Sequence, residues 1–338
     1  MSNTFTKKHH LYTGETLNEF QIIIKIGKPI ISEILPWIVF FTSYGFLVAI
    51  LHHLKVISIL IPEENDALAK GILVFNLGLP ALLAFRTNNA HQRFWEARQL
   101  WGQLINVSRN LTRNISMIIK DKNHQNKKEK ETFLFLIAAF AVAMKLHLRS
   151  EPVNEELSSL MYRSQYWKLK HHTDHSPLQI AFWIGDYLQS RYEERCLSVY
   201  QLRDLHHLVD DLVDILGGCE RILKTPQPII YTLIIRKLII VYCLLIPLEI
   251  VSDCHGFTSI VMTFTSLVLL GIEQIGLQLE QPFARSPNNL PLDSICNVIL
   301  FNIKELIKSK DSKTEIYGVI QNNGIILDNG IILDNSSN

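Results

Sequence analysis

The sequence predicts an all-α membrane protein with four spans and a helical cytosolic region. Three observations predict it. The 338-residue chain is 48% hydrophobic and only 19% charged, below the usual quarter of soluble domains, and its apolar residues gather in a few blocks. The uncharged segment 71–85 runs straight into the charged, aromatic segment 86–102, so a membrane-type helix continues for several turns past the interface. Few segments alternate like strands. A helix that runs on in this way suits an assembly whose axis passes from bilayer into cytosol, as a pore's does.

The elements follow in order. Residues 1–29 are polar, mixed in charge and unlike a signal peptide. Residues 34–51 hold 18 positions without Lys, Arg, Asp or Glu, about the minimum for crossing a bilayer, and predict a first span over about 34–58. The second, 68–86, is shorter and contains Asn76 and Pro80, which a helix shielded by neighbours can carry. The third, 229–249, contains Arg236 and Lys237, and the fourth, 256–274, begins with 17 uncharged residues. Residues 86–130 carry ten Lys or Arg against three acids, which places them in the cytosol. The links at 52–70 and 249–255 are acidic on balance and fall outside. Both termini are then cytosolic. Between the second and third spans, 132–147 reads as a buried core helix, 150–177 as loop with a short helix, and 197–223 as an amphipathic helix. A cytosolic helical region over 87–228 and 275–310 completes one channel-type domain, 1–310, with 311–338 as a flexible tail.

Within the second helix, Ala90, Phe94, Ala97, Trp101, Leu104, Ser108, Leu111 and Ile115 step by four and three, a heptad seam that predicts packing against neighbouring copies. A second stripe holds Arg86, Asn89, Arg93 and Glu96. Arg93 and Glu96 are spaced to pair, and the stripe is either a solvated face or the lining of a vestibule. In the bilayer half, Leu77, Ala81 and Phe85 share one face. Such an apolar face is either core packing or a ring that gates by dewetting.

Three ordered motifs carry a family likeness. Phe85-Arg86-Thr87-Asn88-Asn89-Ala90, continuing through Arg93, Trp95, Glu96 and Trp101, closely resembles the second-helix signature of bestrophins, in particular their bacterial, cyanobacterial and plant branch. Gly218-Cys219-Glu220-Arg221, with Pro226 and Pro228, resembles the family's entry into the third span. Glu280-Gln281-Pro282-Phe283 and the following 288–293 resemble the segment after the fourth. The resemblance covers roughly 20–305. It implies a homopentamer around one axial pore in a bacterial or cyanobacterial plasma membrane, in contact with lipid and passing chloride or other small anions. It implies a narrow neck at Leu77, Ala81 and Phe85, although Ala81 is smaller than the family's usual middle residue. It also implies a cytosolic constriction, for which Tyr200 is the candidate. Monovalent-cation selectivity, or a non-conducting scaffold, are the alternatives.

Other chemistries find little support. Net charge is +1, and no basic block interleaved with aromatics points to nucleic acid. The five cysteines, scattered without Cys-x-x-Cys, argue against a disulfide framework or a zinc knuckle. His171 and His175 have the spacing of a helical metal pair, but their Thr/Ser/Pro-rich context reads as loop. No hydrolase or nucleotide-loop motif is present, so the chain reads as no enzyme and no cofactor is expected. The Asn-Gly-Ile-Ile-Leu-Asp repeat over 323–334 receives no function. Animal bestrophins bind calcium through an acidic cluster in the third motif. Here 284–293 contains one acid, Asp293, too few for a site that takes six to eight oxygens. Calorimetry is therefore expected to find no micromolar calcium binding that depends on this segment.

Overall fold

A computed structural model describes residues 8–10, 16–18, 27–56, 66–119, 124–286 and 288–323. Two three-residue strands, β1 (Lys8–His10) and β2 (Thr16–Asn18), pair antiparallel. All the other regular elements described are helices: α1 (Lys28–His53), α2 (Asp66–Ile118), α3 (His124–Leu148), α4 (Glu155–Ser158), α5 (Arg163–His172), α6 (Ser176–Glu193), α7 (Val199–Lys224), α8 (Ile229–Cys254), a 3-10 turn (His255–Phe257), α9 (Thr258–Leu279) and α10 (Leu292–Asn323). The chain divides into two compact units, 1–99 with 219–291 and 100–218 with 292–338. Helices α2 and α7 contribute to both. Helix α10 continues to Asn323, so part of the expected tail is helical, while 324–338 and most of the terminal repeat lie outside the described residues.

In the first unit, Ile34, Ile38 and Phe41 of α1 pack against Met262 of α9 and Ile239 of α8, with Leu79 and Leu83 of α2 joining the same cluster. Between membrane helices burial against lipid-like surface gives little drive, so close approach and hydrogen bonds matter more. The α1–α9 contact has both. A Cβ on Gly45 would sit 2.8 Å from Met262 Cγ, and the hydroxyls of Thr42 and Thr263 lie 2.8 Å apart.

Three helices among the described residues are long and apolar enough to cross a membrane: Lys28–His53, Lys70–Ile118 and Asn126–Leu148. The first two coincide with expected spans. The third is the helix expected as core, and 78% of its most apolar window is buried inside the protein. The third and fourth expected spans form the apolar helices α8 and α9, but neither is among those three. Helix α8 carries Arg236 and Lys237, and α9 carries Glu273.

The second unit is built around α3, which packs on α6 and α10. Ile137, Phe140 and Met144 are fully buried, and the rings of Phe133 and Tyr187 stack at 3.8 Å. Trp101, Leu104, Leu111 and Ile115 of α2 are also fully buried, as are Ala90 and Ala97 in the first unit. This corrects the expected role of the heptad seam. The chain's own core covers it, so it is not available to neighbouring copies. A 4-3 spacing marks an apolar stripe without saying which helix covers it.

Lys145 anchors the second unit electrostatically. Its Nζ is 2.7 Å from Glu156 and 2.8 Å from Asp293, and Arg149 reaches Asp293 at 2.9 Å. Burial alone would push the Asp293 carboxyl up. The hydrogen bonds from Lys145 and Arg149 outweigh burial and hold it down at about 2. Burial likewise opposes the Lys145 charge, but its bonds to Asp293 and Glu156 raise its pKa. Because the folded Asp293 is depressed below a normal carboxylate near ~3.9, its stabilisation is complete above that pH. It is lost as pH falls toward about 2. Asp293→Asn is expected to lower the melting temperature at neutral pH, and the gap to wild type should close between pH ~4 and the lowest pH at which the protein stays folded. Tryptophan-fluorescence melts over that range check it.

Candidate functional site

Helix α2 presents two different faces in the first unit. Ile72, Leu79, Leu83, Arg86 and Ala90 point into the unit's core. Leu77, Ala81 and Phe85 point away from it, and Leu77 and Phe85 are 72% and 63% exposed. Val74 extends the uncovered stripe. Beside it, Pro80 lacks the N–H that would bond the carbonyl of Asn76, and the Tyr242 hydroxyl donates to Asn76 Oδ1 at 2.7 Å. The kink-prone point of the helix is thus tied to α8.

The polar stripe that follows is largely engaged in contacts within the chain. Arg86 is 1% exposed. Its Nε donates to Glu280 at 3.0 Å, and its Nη1 lies 4.0 Å from the buried Glu273. Arg93 reaches the last turn of α7, donating to the carbonyls of Ile222 and Thr225 at 2.6 and 2.5 Å. Helix ends leave four carbonyls without intrahelical donors, and the guanidinium fork satisfies two of these with matching charge. Glu96 pairs with Arg221 rather than with Arg93, which corrects the expected i,i+3 pair. Tertiary partners displace that local pair because α7 ends beside this face. Asn89 is half-buried and Trp95 is exposed. Trp101 is fully buried with its indole N–H unpartnered.

The second motif shapes the junction. Glu220 pairs with Lys224 at 3.0 Å. Burial, with the nearby carboxylates of Glu96 and Glu220, pushes the Cys219 thiol up to about 12, so it stays neutral. Pro226 lies in the turn and Pro228 caps α8, stopping α7 and restarting the chain as a new helix. In the third motif, the carbonyl of the buried Pro282 accepts from the N–H of Leu290 at 3.0 Å, closing the loop after α9. Tyr200, in the first turn of α7, is 70% exposed and stands beside Arg203. His171 lies on α5 against Trp167, whereas His175 caps α6, its Nδ1 accepting from Leu178 N at 3.4 Å. The two are therefore not a pair on one helix. Glu273 is the residue sequence reasoning passed over. A single acid inside an apolar span, facing inward, was its available signal.

Long apolar helices tied together by a buried arginine–carboxylate contact, one of them with an uncovered apolar stripe, define a helical membrane protein. The chain belongs to the bacterial/fungal bestrophin family, whose sequence profile matches residues 13–305. It is 44% identical over 287 residues to a voltage-dependent anion channel-forming protein of Nostoc, covering 85% of this chain and 91% of that one. It is 25% identical over 317 residues to the chloroplastic voltage-dependent chloride channel 1 of Arabidopsis thaliana, covering 90% and 74%. A crystal structure of a bacterial bestrophin homologue from Klebsiella pneumoniae superposes with a TM-score of 0.74 at 25% identity, over 81% of this chain and 98% of that one.

Removing one partner of a buried ion pair costs about 3–5 kcal/mol. Arg86→Gln is expected to fall in that range in detergent unfolding, because Glu273 and Glu280 would lose the cation between them. Arg86→Lys should lose less, since it keeps the charge while giving up the fork. A loss below ~1 kcal/mol for Arg86→Gln would show that the contact is incidental.

Proposed function

We propose that the protein is a homopentameric anion channel, passing chloride through an axial pore with its neck at Leu77, Ala81 and Phe85. Four spans, at about 34–58, 68–86, 229–249 and 256–274, cross a plasma membrane with both termini in the cytosol. Residues 1–310 form a single channel domain, and Tyr200 marks a cytosolic constriction. The observation that carries the reading is the stripe on α2. Its residues turn away from the chain's own core on the helix that the ion-pair junction holds in place. The Nostoc and Arabidopsis relatives support it through what they are named to do. The small residues of α2 add support. A Cβ on Gly71 or Gly78 would meet nothing within 4 Å, so this chain's packing does not require glycine there. Glycine inside a helix costs about 1 kcal/mol relative to alanine, and small residues let membrane helices from neighbouring copies approach closely.

The test is a reversal potential in a planar bilayer under a KCl gradient. The expected value lies near the chloride equilibrium potential, whereas one near that of potassium would replace the anion reading with a cation-selective one. Phe85→Ala should raise the current, by roughly tenfold for each ~1.4 kcal/mol of dewetting barrier removed. A silent assembly, in wild type and variant alike, would leave only a scaffold.

A further inference from the structure

We propose that a cleft in the second unit, between the far end of α2 and α10, is a binding site for a small soluble phosphate-bearing anion. Arg109 and Arg113, one turn apart on α2, line a cavity of about 580 Å³ whose other wall carries Asn302, Glu305, Lys308 and Ser309 of α10. Three cations thus face one carboxylate. Like charges at i,i+4 destabilise a helix by a few tenths of a kcal/mol, and an anion held between the two arginines would relieve that repulsion. Arg109 has no hydrogen-bond or ion-pair partner among the described residues, and Arg113 reaches Asn114 at 3.5 Å. The second observation is Asn302. Its Nδ2 is shut off from solvent without an acceptor, a state that costs about 1–3 kcal/mol for a buried donor. Its terminal torsion is soft, so a ligand oxygen in the cleft can recruit the amide.

Guanidinium groups bind phosphate through paired N–H donors, and the hydroxyl of Ser309 adds a further donor. The volume lies within the range of small-molecule sites. Among the described residues no aromatic side chain lines the cavity to stack a base, which favours pyrophosphate or a small phosphorylated metabolite over a nucleotide. Glu305 can accept from a hydroxyl of such a ligand. A phospholipid headgroup offers the same chemistry. Both walls belong to segments proposed above as cytosolic, and the choice of a soluble source rests on that reading.

Calorimetry on the full chain in detergent at low salt, titrated with sodium pyrophosphate, tests the site. Saturable binding with a Kd below ~1 mM is expected. Arg109→Ala/Arg113→Ala should weaken it by about tenfold or more. Asn302→Asp, which replaces a neutral amide by a carboxylate, should weaken it as well. Circular dichroism controls for folding of each variant. Absence of saturable heat, or binding unchanged in both variants, overturns the proposal. Displacement of pyrophosphate by a water-soluble short-chain phosphatidylinositol phosphate at far lower concentration than by free phosphate overturns the soluble source. Because binding is read without ion flux, a silent channel and an empty cleft are separate failures.

Discussion

The buried guanidinium of Arg86 is the constraint on which the rest of the site depends. It lies between Glu280 at 3.0 Å and Glu273 at 4.0 Å, with the Thr232 hydroxyl at 3.5 Å. A cation taken out of water is tolerated only where opposite charge and hydrogen bonds meet it. This contact therefore fixes which side of α2 faces inward. Each residue turns an α-helix by about 100°. With Arg86 turned in, residues at 77, 81 and 85 must turn out, and Arg93, one heptad further on, returns to the inner side where α7 ends. The orientation of the apolar stripe follows from an ion pair that the stripe does not touch.

The same contact takes Arg86 out of any account of selectivity. Its charge is met by two carboxylates, and Arg93 and Glu96 are likewise committed to the end of α7. Pro80 frees the carbonyl of Asn76, whose amide oxygen is held by Tyr242, and the exposed Lys70 shares the stripe's face seven residues before Leu77. In the proposed pore, an ion at the level of Leu77 and Phe85 would meet apolar side chains, so preference for sign would arise from fields further along the path.

Much of the fold was legible because hydropathy and helical periodicity report burial directly. The core role of α3 was expected from a short apolar run at 132–147; the helix is itself long enough to span, and it is burial of residues such as Ile137 and Phe140 that makes it core. The three motifs were legible as blocks, but their purpose was not. Arg86 with Glu280 joins the first motif to the third, and Glu96 with Arg221 joins the first to the second. These pairs are 194 and 125 residues apart, and no local pattern encodes which distant charge a residue meets. The seam at Trp101, Leu104 and Leu111 was misassigned for a related reason. Periodicity gives a helix an inner face without naming what lies inside.

What remains is why an uncovered stripe on α2 supports the proposed assembly of several copies. Apolar residues such as Phe40 and Phe46 on α1, or Phe264 and Val268 on α9, are equally uncovered, and bulky side chains of that kind are well served by lipid. Helix α2 differs in composition on its outer side. It carries Ala81 among Val74, Leu77 and Phe85, with Gly71 and Gly78 on the flank of the stripe. Open-sided glycines are a poor choice against acyl chains, since they lose packing there. They suit the proposed assembly, in which the outer side of this helix faces the same helix of other copies. Small residues there would allow close approach, and the larger ones would narrow the passage. In that assembly the lipid-facing and axis-facing surfaces would differ in residue size rather than in hydrophobicity, which both share.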